Sequence, residues 1–145
     1  MGMGGKQDWL PLDRLARMRT SSEAAEFLAV NALAEGPTEW RAAEPGAQTL
    51  ELRLHIARTI RRIRVVIVDA DEERSQEFTV EWTSRRGERF GVAVRQQFNF
   101  SPRGATTQVE EYEVDLPAVT SIALRIVPDI RGGSAVARVR QFALA

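Results

Sequence analysis

The side chains that most often carry catalysis are scarce in this sequence. His55 is the only histidine among 145 residues, and there is no cysteine. A serine nucleophile needs a nearby base, and zinc needs three or four His, Cys or carboxylate ligands, so both chemistries are disfavoured. The sequence also lacks a G-x-x-x-x-G-K phosphate loop and a G-x-G-x-x-G dinucleotide loop. We therefore predict a protein that is not an enzyme, with His55 as a solvated strand residue.

Two acidic clusters are candidates for metal binding or for acid–base chemistry. The first, DADEE at residues 69–73, offers oxygen ligands for calcium but lacks the later glycine and glutamate of an EF-hand loop. We interpret it as a solvated turn. In the second cluster, most carboxylates alternate with the apolar residues Tyr112 and Val114, which is typical of an exposed strand face opposite arginines on a neighbouring strand. Its members are Glu110, Glu111, Glu113 and Asp115.

Two other groups of residues suit recognition. The segment FNFSPR, residues 98–103, combines aromatic, amide and guanidinium groups that can stack on and hydrogen-bond to sugars or bases. Its phenylalanines equally suit a core position. A basic stretch suits phosphate contacts, but the intervening Glu51 and the balance of 20 Lys+Arg against 20 Asp+Glu favour a solvated strand face. The stretch contains Arg53, Arg58, Arg61, Arg62 and Arg64.

Strands must position these groups, because apolar and polar residues alternate with period two from Thr49 onward. Ile60 is out of phase, which predicts a bulge near Arg61, and SRRG at residues 84–87 predicts a hairpin turn. Seven or eight short strands predict an all-β antiparallel sandwich or barrel. The apolar members are Leu50, Leu52, Leu54, Ile56, Ile63, Val65, Ile67, Phe78, Val80, Trp82, Phe90, Val92, Val94, Tyr112, Val114, Leu116, Ile122, Leu124 and Ile126.

The N-terminal third has a different pattern. The spacing of Leu12, Leu15 and Met18 predicts a helix, and residues 23–33 predict a short second helix. We expect neither a secretory signal nor a membrane span, because no apolar run is long enough for either. The length of 145 residues predicts a single domain. Because there is no cysteine, we expect the protein in the cytoplasm.

The order of several segments resembles the discoidin or coagulation-factor type C family. These segments are AVNALAEGPTEWRA, TLELRL, TIRRIRVVIVD, QEFTVEWTS, VTSIALRIVPD and ARVRQFAL. The resemblance covers residues 19–144, so we predict an extension at residues 1–18 and one domain at residues 19–145. It implies a jelly-roll β-sandwich with the galactose-binding-like fold. It also implies a non-catalytic module that binds glycans, lipids or proteins through loops at one end of the sandwich.

Within the same superfamily, WRAAEPGAQT at residues 40–49 resembles a segment of the X-ray-repair cross-complementing scaffold of single-strand break repair. This second resemblance implies broken DNA and a polymerase as partners. In many discoidin-like members an aspartate after Asn-Ala-Leu helps to hold a structural calcium ion. Ala34 takes its place here and Glu35 follows, so the resemblance leaves calcium in doubt. The family pattern also implies that Trp40 packs in the core.

The leading hypothesis is therefore carbohydrate or small-ligand recognition by four connecting loops without a cofactor. The alternative is a protein-binding or nicked-DNA-binding scaffold. The predicted ligand-binding side chains are Glu39, Arg41, Asp71, Phe98, Asn99, Phe100 and Arg103.

Overall fold

Antiparallel strands account for most of the chain in the computed structural model, which describes residues 8–84 and 91–145. The predicted turn at residues 84–87 lies outside these ranges except for Ser84. In chain order the elements are helix α1 (Leu12–Leu15), strand β1 (Ala16–Thr20), a 3-10 helix (Ala29–Leu33) and strands β2 (Trp40–Pro45), β3 (Gln48–Val68), β4 (Arg74–Ser84), β5 (Gly91–Phe100), β6 (Thr107–Val127), β7 (Val136–Val139) and β8 (Gln141–Leu144). No helix within the described ranges is long and apolar enough to cross a membrane.

The long strands β3 and β6 pair with each other and form the centre of both layers of the fold. The first half of β3 pairs with β1, its second half pairs with β8, and β4 pairs with the second half of β6. The β3–β6 register shifts at three points between Arg53 and Arg62, and Ala118 on β6 has a φ of 51°. Side chains from both halves of the pair, such as Leu50 and Ile63, lie in one core. The β3–β6 ribbon therefore bends over and places its halves in two facing layers.

One layer has the strand order β1-β3-β6-β4-β5, and β8 pairs with β3 beyond the bend. Strands β2 and β7 form a separate two-stranded ribbon. This arrangement confirms the predicted all-β, antiparallel sandwich. The bulge predicted near Arg61 is also present, because the register shifts between Ile60 and Arg62.

The buried face of β3 follows the predicted alternation only up to the bend. Leu50, Leu52 and Leu54 are buried, but Ile56 is 73% exposed. The prediction that Ile56 continues the core face was wrong, because the strand turns from one layer to the other there. Trp40 is fully buried, and its indole Nε1 donates a hydrogen bond of 2.9 Å to the carbonyl of Ser22. The structural role predicted for Trp40 is confirmed.

The N-terminal helices are shorter than their sequence pattern predicts. Helix α1 stops at Leu15, and Met18 lies in β1, which pairs with β3. Within residues 23–33, only the last five form a 3-10 helix. Hydrogen bonds to a neighbouring strand have overridden the helical spacing. Strand β1 lies on both sides of the predicted domain boundary at residue 18, and Leu12 before it is buried.

Candidate functional site

Four connecting segments meet at one end of the sandwich, which we call the loop end. It consists of residues 34–39, 69–73, 101–106 and 128–135. The backbone N–H of Asp69 donates to the carbonyl of Thr106 at 2.8 Å, and Arg74 Nη1 donates to the carbonyl of Pro128 at 2.8 Å. Arg138 Nε lies 3.7 Å from a carboxylate oxygen of Glu39. The four segments are therefore connected partly through Arg74 on β4 and Arg138 on β7.

Asp69 is the buried anion at the centre of the loop end, with 3% of its surface exposed. It follows the last residue of β3, and its Oδ1 accepts backbone N–H bonds from Asp71 at 2.9 Å and Glu72 at 3.3 Å. Its Oδ2 accepts a 2.8 Å bond from Arg74 Nε. Burial by itself raises the pKa of Asp69, but the bond from Arg74, the Asp71 N–H and the charge of Arg138 lower that pKa below its ordinary value. Asp69 is therefore held as a carboxylate. Residues 70–73 of its turn are exposed as predicted, so Asp69 alone departs from the predicted solvated turn.

Arg74 is the first cation that balances Asp69, and only 1% of it is exposed. Its Nη1 also donates to Gln76 Oε1 at 2.9 Å, and its guanidinium carbon lies 4.4 Å from the centre of the Phe100 ring. The rings of Phe98 and Phe100 are 4.7 Å apart. These contacts connect the start of β4 to the end of β5.

Arg138 on β7 is the second cation, and its side chain is 10% exposed. Its Nη1 lies 3.3 Å from Oδ1 of Asp69 and 3.8 Å from Oδ2 of Asp71. Glu39 also forms an ion pair with Arg41, whose guanidinium carbon lies 4.2 Å from the centre of the Phe27 ring. A continuous set of contacts therefore runs from Arg41 to Asp69.

The structure divides the predicted ligand-binding residues into exposed and buried sets. Asp71, Asn99 and Arg103 are exposed, and the Asp71 side chain is 75% exposed. Arg41 and Phe98 are half-buried, whereas Glu39 and Phe100 are buried. The buried pair can therefore support the exposed side chains without reaching solvent. A ligand-binding role for all seven stays a prediction.

Residues 98–100, the first half of the FNFSPR segment, form the end of β5 and not a loop. Its alternation places Phe98 and Phe100 toward the core and Asn99 toward solvent. The sequence also suits a core position for both phenylalanines. The structure places Phe100 in the core and Phe98 against it. The Arg103 loop itself begins only after Phe100.

Sequence reasoning missed the three charged residues that organise the loop end, namely Asp69, Arg74 and Arg138. For Arg74 a signal existed, because Arg74 and Gln76 are in phase with the buried residues Phe78 and Val80 of the same strand. A charged residue on the core side of a strand must have a buried partner. No comparable pattern marks Arg138, since β7 contributes only four residues.

The described residues do not fit the calcium site that the family resemblance implies. In the ranges 8–84 and 91–145, no group of three or more His, Asp or Glu side chains is placed to hold a metal ion. Ala34 has no oxygen ligand in its side chain, and Glu35 is exposed. The buried carboxylates of the loop end, Glu39 and Asp69, are engaged by arginines.

Three of the five arginines in the basic stretch on β3 form ion pairs with carboxylates of the acidic strand β6. Arg64 lies 2.7 Å from a carboxylate oxygen of Glu111, and Arg62 lies 3.5 Å from the other oxygen of the same group. Arg61 lies 3.6 Å from Asp115. These ion pairs confirm the predicted pairing of the acidic strand with neighbouring arginines. They also argue against this stretch as a track for phosphates.

Comparisons with known proteins give structural matches but no match by sequence. No family model matches the chain, and no curated protein matches it. The family 32 carbohydrate-binding module of Clostridium perfringens NanJ, in complex with galactose, aligns with a TM-score of 0.70 and 14% identity, covering 94% of this chain and 96% of that one. A chitosan-binding module from a chitosanase/glucanase of Paenibacillus sp. IK-5 aligns with a TM-score of 0.64 and 16% identity, covering 94% and 98%.

A fucosidase of Ruminococcus gnavus, in complex with fucose, aligns with a TM-score of 0.68 and 12% identity. The match covers 93% of this chain but 26% of the fucosidase chain, so it concerns one part of that enzyme. Identities this low establish a common fold and no more. The chain therefore has the discoidin or galactose-binding-like β-sandwich fold, which it shares with family 32 carbohydrate-binding modules.

Proposed function

We propose that this protein is a non-catalytic module that binds carbohydrate through the loop end. The observation that carries the proposal is the buried Asp69–Arg74–Arg138 network, which contacts the exposed side chain of Asp71 through Arg138. Matched structures whose names include galactose, fucose and chitosan support it.

The network suits sugar binding because it fixes the positions of the loops before a ligand arrives. Carboxylate, guanidinium and amide groups hydrogen-bond well to sugar hydroxyls, and a pre-organised site loses little conformational entropy on binding. Asp71 is held on one side by its backbone bond to Asp69 and lies 3.8 Å from Arg138. The backbone of Asp71 therefore has a defined position beneath its exposed carboxylate.

The same geometry favours binding over hydrolysis. A glycosidase needs a carboxylic acid whose pKa is raised, so that it can protonate the leaving oxygen. At the loop end the arginines have the opposite effect, and the pKa of Asp69 is lowered. Asp69 is also buried and fully engaged in hydrogen bonds. This carboxyl group is suited to holding the loops.

The test is a glycan array followed by calorimetric titration of galactose, N-acetylgalactosamine, fucose and chitosan oligomers, with and without calcium. If a sugar binds, Asp71→Ala and Arg103→Ala should each weaken it about tenfold, since each removes a charged hydrogen-bonding group. Arg14→Gln, an exposed change on helix α1, is the matched control and should leave affinity unchanged. Absence of binding to every sugar, or binding that both loop variants retain, would refute the proposal.

A further inference from the structure

A second polar surface lies on the outer face of the five-stranded layer. Arg17 and Arg19 on β1 and Arg53 on β3 are exposed and together line a depression of about 360 Å³. Their neighbours Ala16 and Leu52 are buried, so the alternation along both strands directs the three arginines outward. We call these residues the arginine triad.

The register of β1 and β3 brings the triad together. Arg17 lies directly opposite Arg53, and Arg19 lies opposite Glu51, so Arg19 and Arg53 are diagonal neighbours. Like charges that face each other across two strands destabilise a sheet. No carboxylate of residues 8–84 and 91–145 forms an ion pair with any member of the triad, in contrast to the pairs that Arg61, Arg62 and Arg64 make. If Glu51 is counted as one full negative charge, the three arginines of the triad still have an excess of two positive charges.

Protection of a sheet edge does not account for this cluster. Charged side chains on an edge strand prevent pairing with other chains, and β1 is such an edge. Arg53, however, lies on β3, which has β1 on one side and β6 on the other. A third arginine at this interior position adds repulsion without protecting any edge.

The depression continues across the sheet. A second one, of about 470 Å³, shares Arg53 and is also lined by Glu51, Thr83 and Ser121. Ser121 lies opposite Arg53 on one side and opposite Thr83 on the other, so the row from Arg17 to Thr83 crosses four strands. Three strand spacings correspond to roughly 14 Å. The two depressions meet at Arg53, and we treat them as one groove with cations at one end and hydroxyl groups at the other.

We propose that this groove binds an oligosaccharide that carries carboxylate groups, such as a polyuronate. Guanidinium groups bind carboxylates with two parallel hydrogen bonds, which would relieve the repulsion between Arg17 and Arg53. The hydroxyl of Thr83 and the carboxylate of Glu51 match the hydroxyl groups of the sugar rings, whereas Ser121 is only 6% exposed. This second site is separate from the loop end and does not depend on it.

The lining favours an acidic sugar over nucleic acid. Single-stranded nucleic acid is held by aromatic side chains on which bases stack, and the described lining contains none. An acidic sugar chain offers hydroxyls to Glu51 and carboxylates to the triad.

The experiment is calorimetric titration with hexagalacturonate at low ionic strength. Arg53→Gln should weaken binding about tenfold, because it removes one charge-assisted contact. Arg61→Gln is the matched control, since Arg61 is an exposed arginine of the same strand that pairs with Asp115 instead of lining the groove. It should stay within twofold of the unmodified protein. Arg53→Gln should also keep or raise the melting temperature, because it relieves the repulsion with Arg17.

Parallel titrations use a neutral galactan oligosaccharide and a single-stranded oligonucleotide. Weak or no binding of both supports the proposal. Equal affinity for neutral galactan, tighter binding of the oligonucleotide, or no binding of hexagalacturonate at millimolar concentration would overturn it. Hexagalacturonate binding that Arg53→Gln retains but Asp71→Ala abolishes would place the acidic sugar at the loop end and would also overturn it. If Arg53→Gln leaves the binding of galactose or fucose unchanged, the loop-end proposal is tested separately from the groove.

Discussion

Substitution of Asp69 by alanine is the sharpest test of how the loop end is held together. The change removes the acceptor for Arg74 Nε at 2.8 Å and the carboxylate 3.3 Å from Arg138 Nη1. It also leaves the backbone N–H groups of Asp71 and Glu72 without their acceptor. Arg74, which is 1% exposed, cannot turn to solvent to recover its hydration.

The cost follows from what each arginine retains. Removing one partner of a buried ion pair destabilises a protein by about 3–5 kcal/mol. Arg74 keeps its bonds to Gln76 and Pro128, and Arg138 keeps Glu39 at 3.7 Å. We therefore expect the lower end of that range, about 3 kcal/mol. For a chain of this length the melting temperature should fall by roughly 10 °C.

Urea unfolding monitored by tryptophan fluorescence measures this free energy, because Trp40 is buried in the native state. Asp115→Ala is the matched control, as it removes an aspartate from an exposed pair with Arg61 and should cost less than about 1 kcal/mol. A double-mutant cycle with Arg74→Met should give a coupling energy above about 1 kcal/mol, since methionine removes the stranded charge. An Asp69→Ala cost equal to that of Asp115→Ala, or a coupling near zero, would refute the reasoning.

Three other outcomes are expected. Trp40→Ala should cost about 3–5 kcal/mol in urea unfolding, because it leaves a cavity and removes the bond to the Ser22 carbonyl; a fully stable variant would contradict the core role. The lowered pKa of Asp69 means that its contribution to stability is present above its unfolded pKa of about 3.9 and is lost as pH falls through the lower folded pKa. Acid titrations of stability should therefore be shallower below about pH 4 in Asp69→Asn than in the unmodified protein, and identical slopes would count against this. Glu111→Gln should cost at most about 1 kcal/mol by thermal unfolding, because its carboxylate is 43% exposed; a larger loss would mean that the pairs with Arg62 and Arg64 are structural.

The fold was predictable because a half-buried strand carries its own signal in the sequence. Alternation predicted the buried faces of β3, β4 and β6, but it did not show that β3 continues unbroken past Ile56. The chain there stays extended while it passes from one layer to the other. In the sequence alone, the exposed Ile56 cannot be distinguished from the buried apolar residues of the same strand. The β1 strand was missed because five residues are too few to establish a period against the competing helical spacing that ends at Met18.

The candidate site was harder to predict, because its exposed members depend on buried charges that are distant in sequence. Arg74 and Arg138 meet at Asp69 only after β4 and β7 have been placed by the fold. Composition alone does not separate buried arginines from exposed ones. The position of an arginine in the alternation of its strand does separate them. Arg74 lies in phase with the buried Phe78, so burial requires an anion, and Asp69 is the acidic residue that the turn before β4 can place beside it. A charged residue in the apolar phase of a strand is therefore a stronger indicator of an organised polar centre than a larger number of charges in the polar phase.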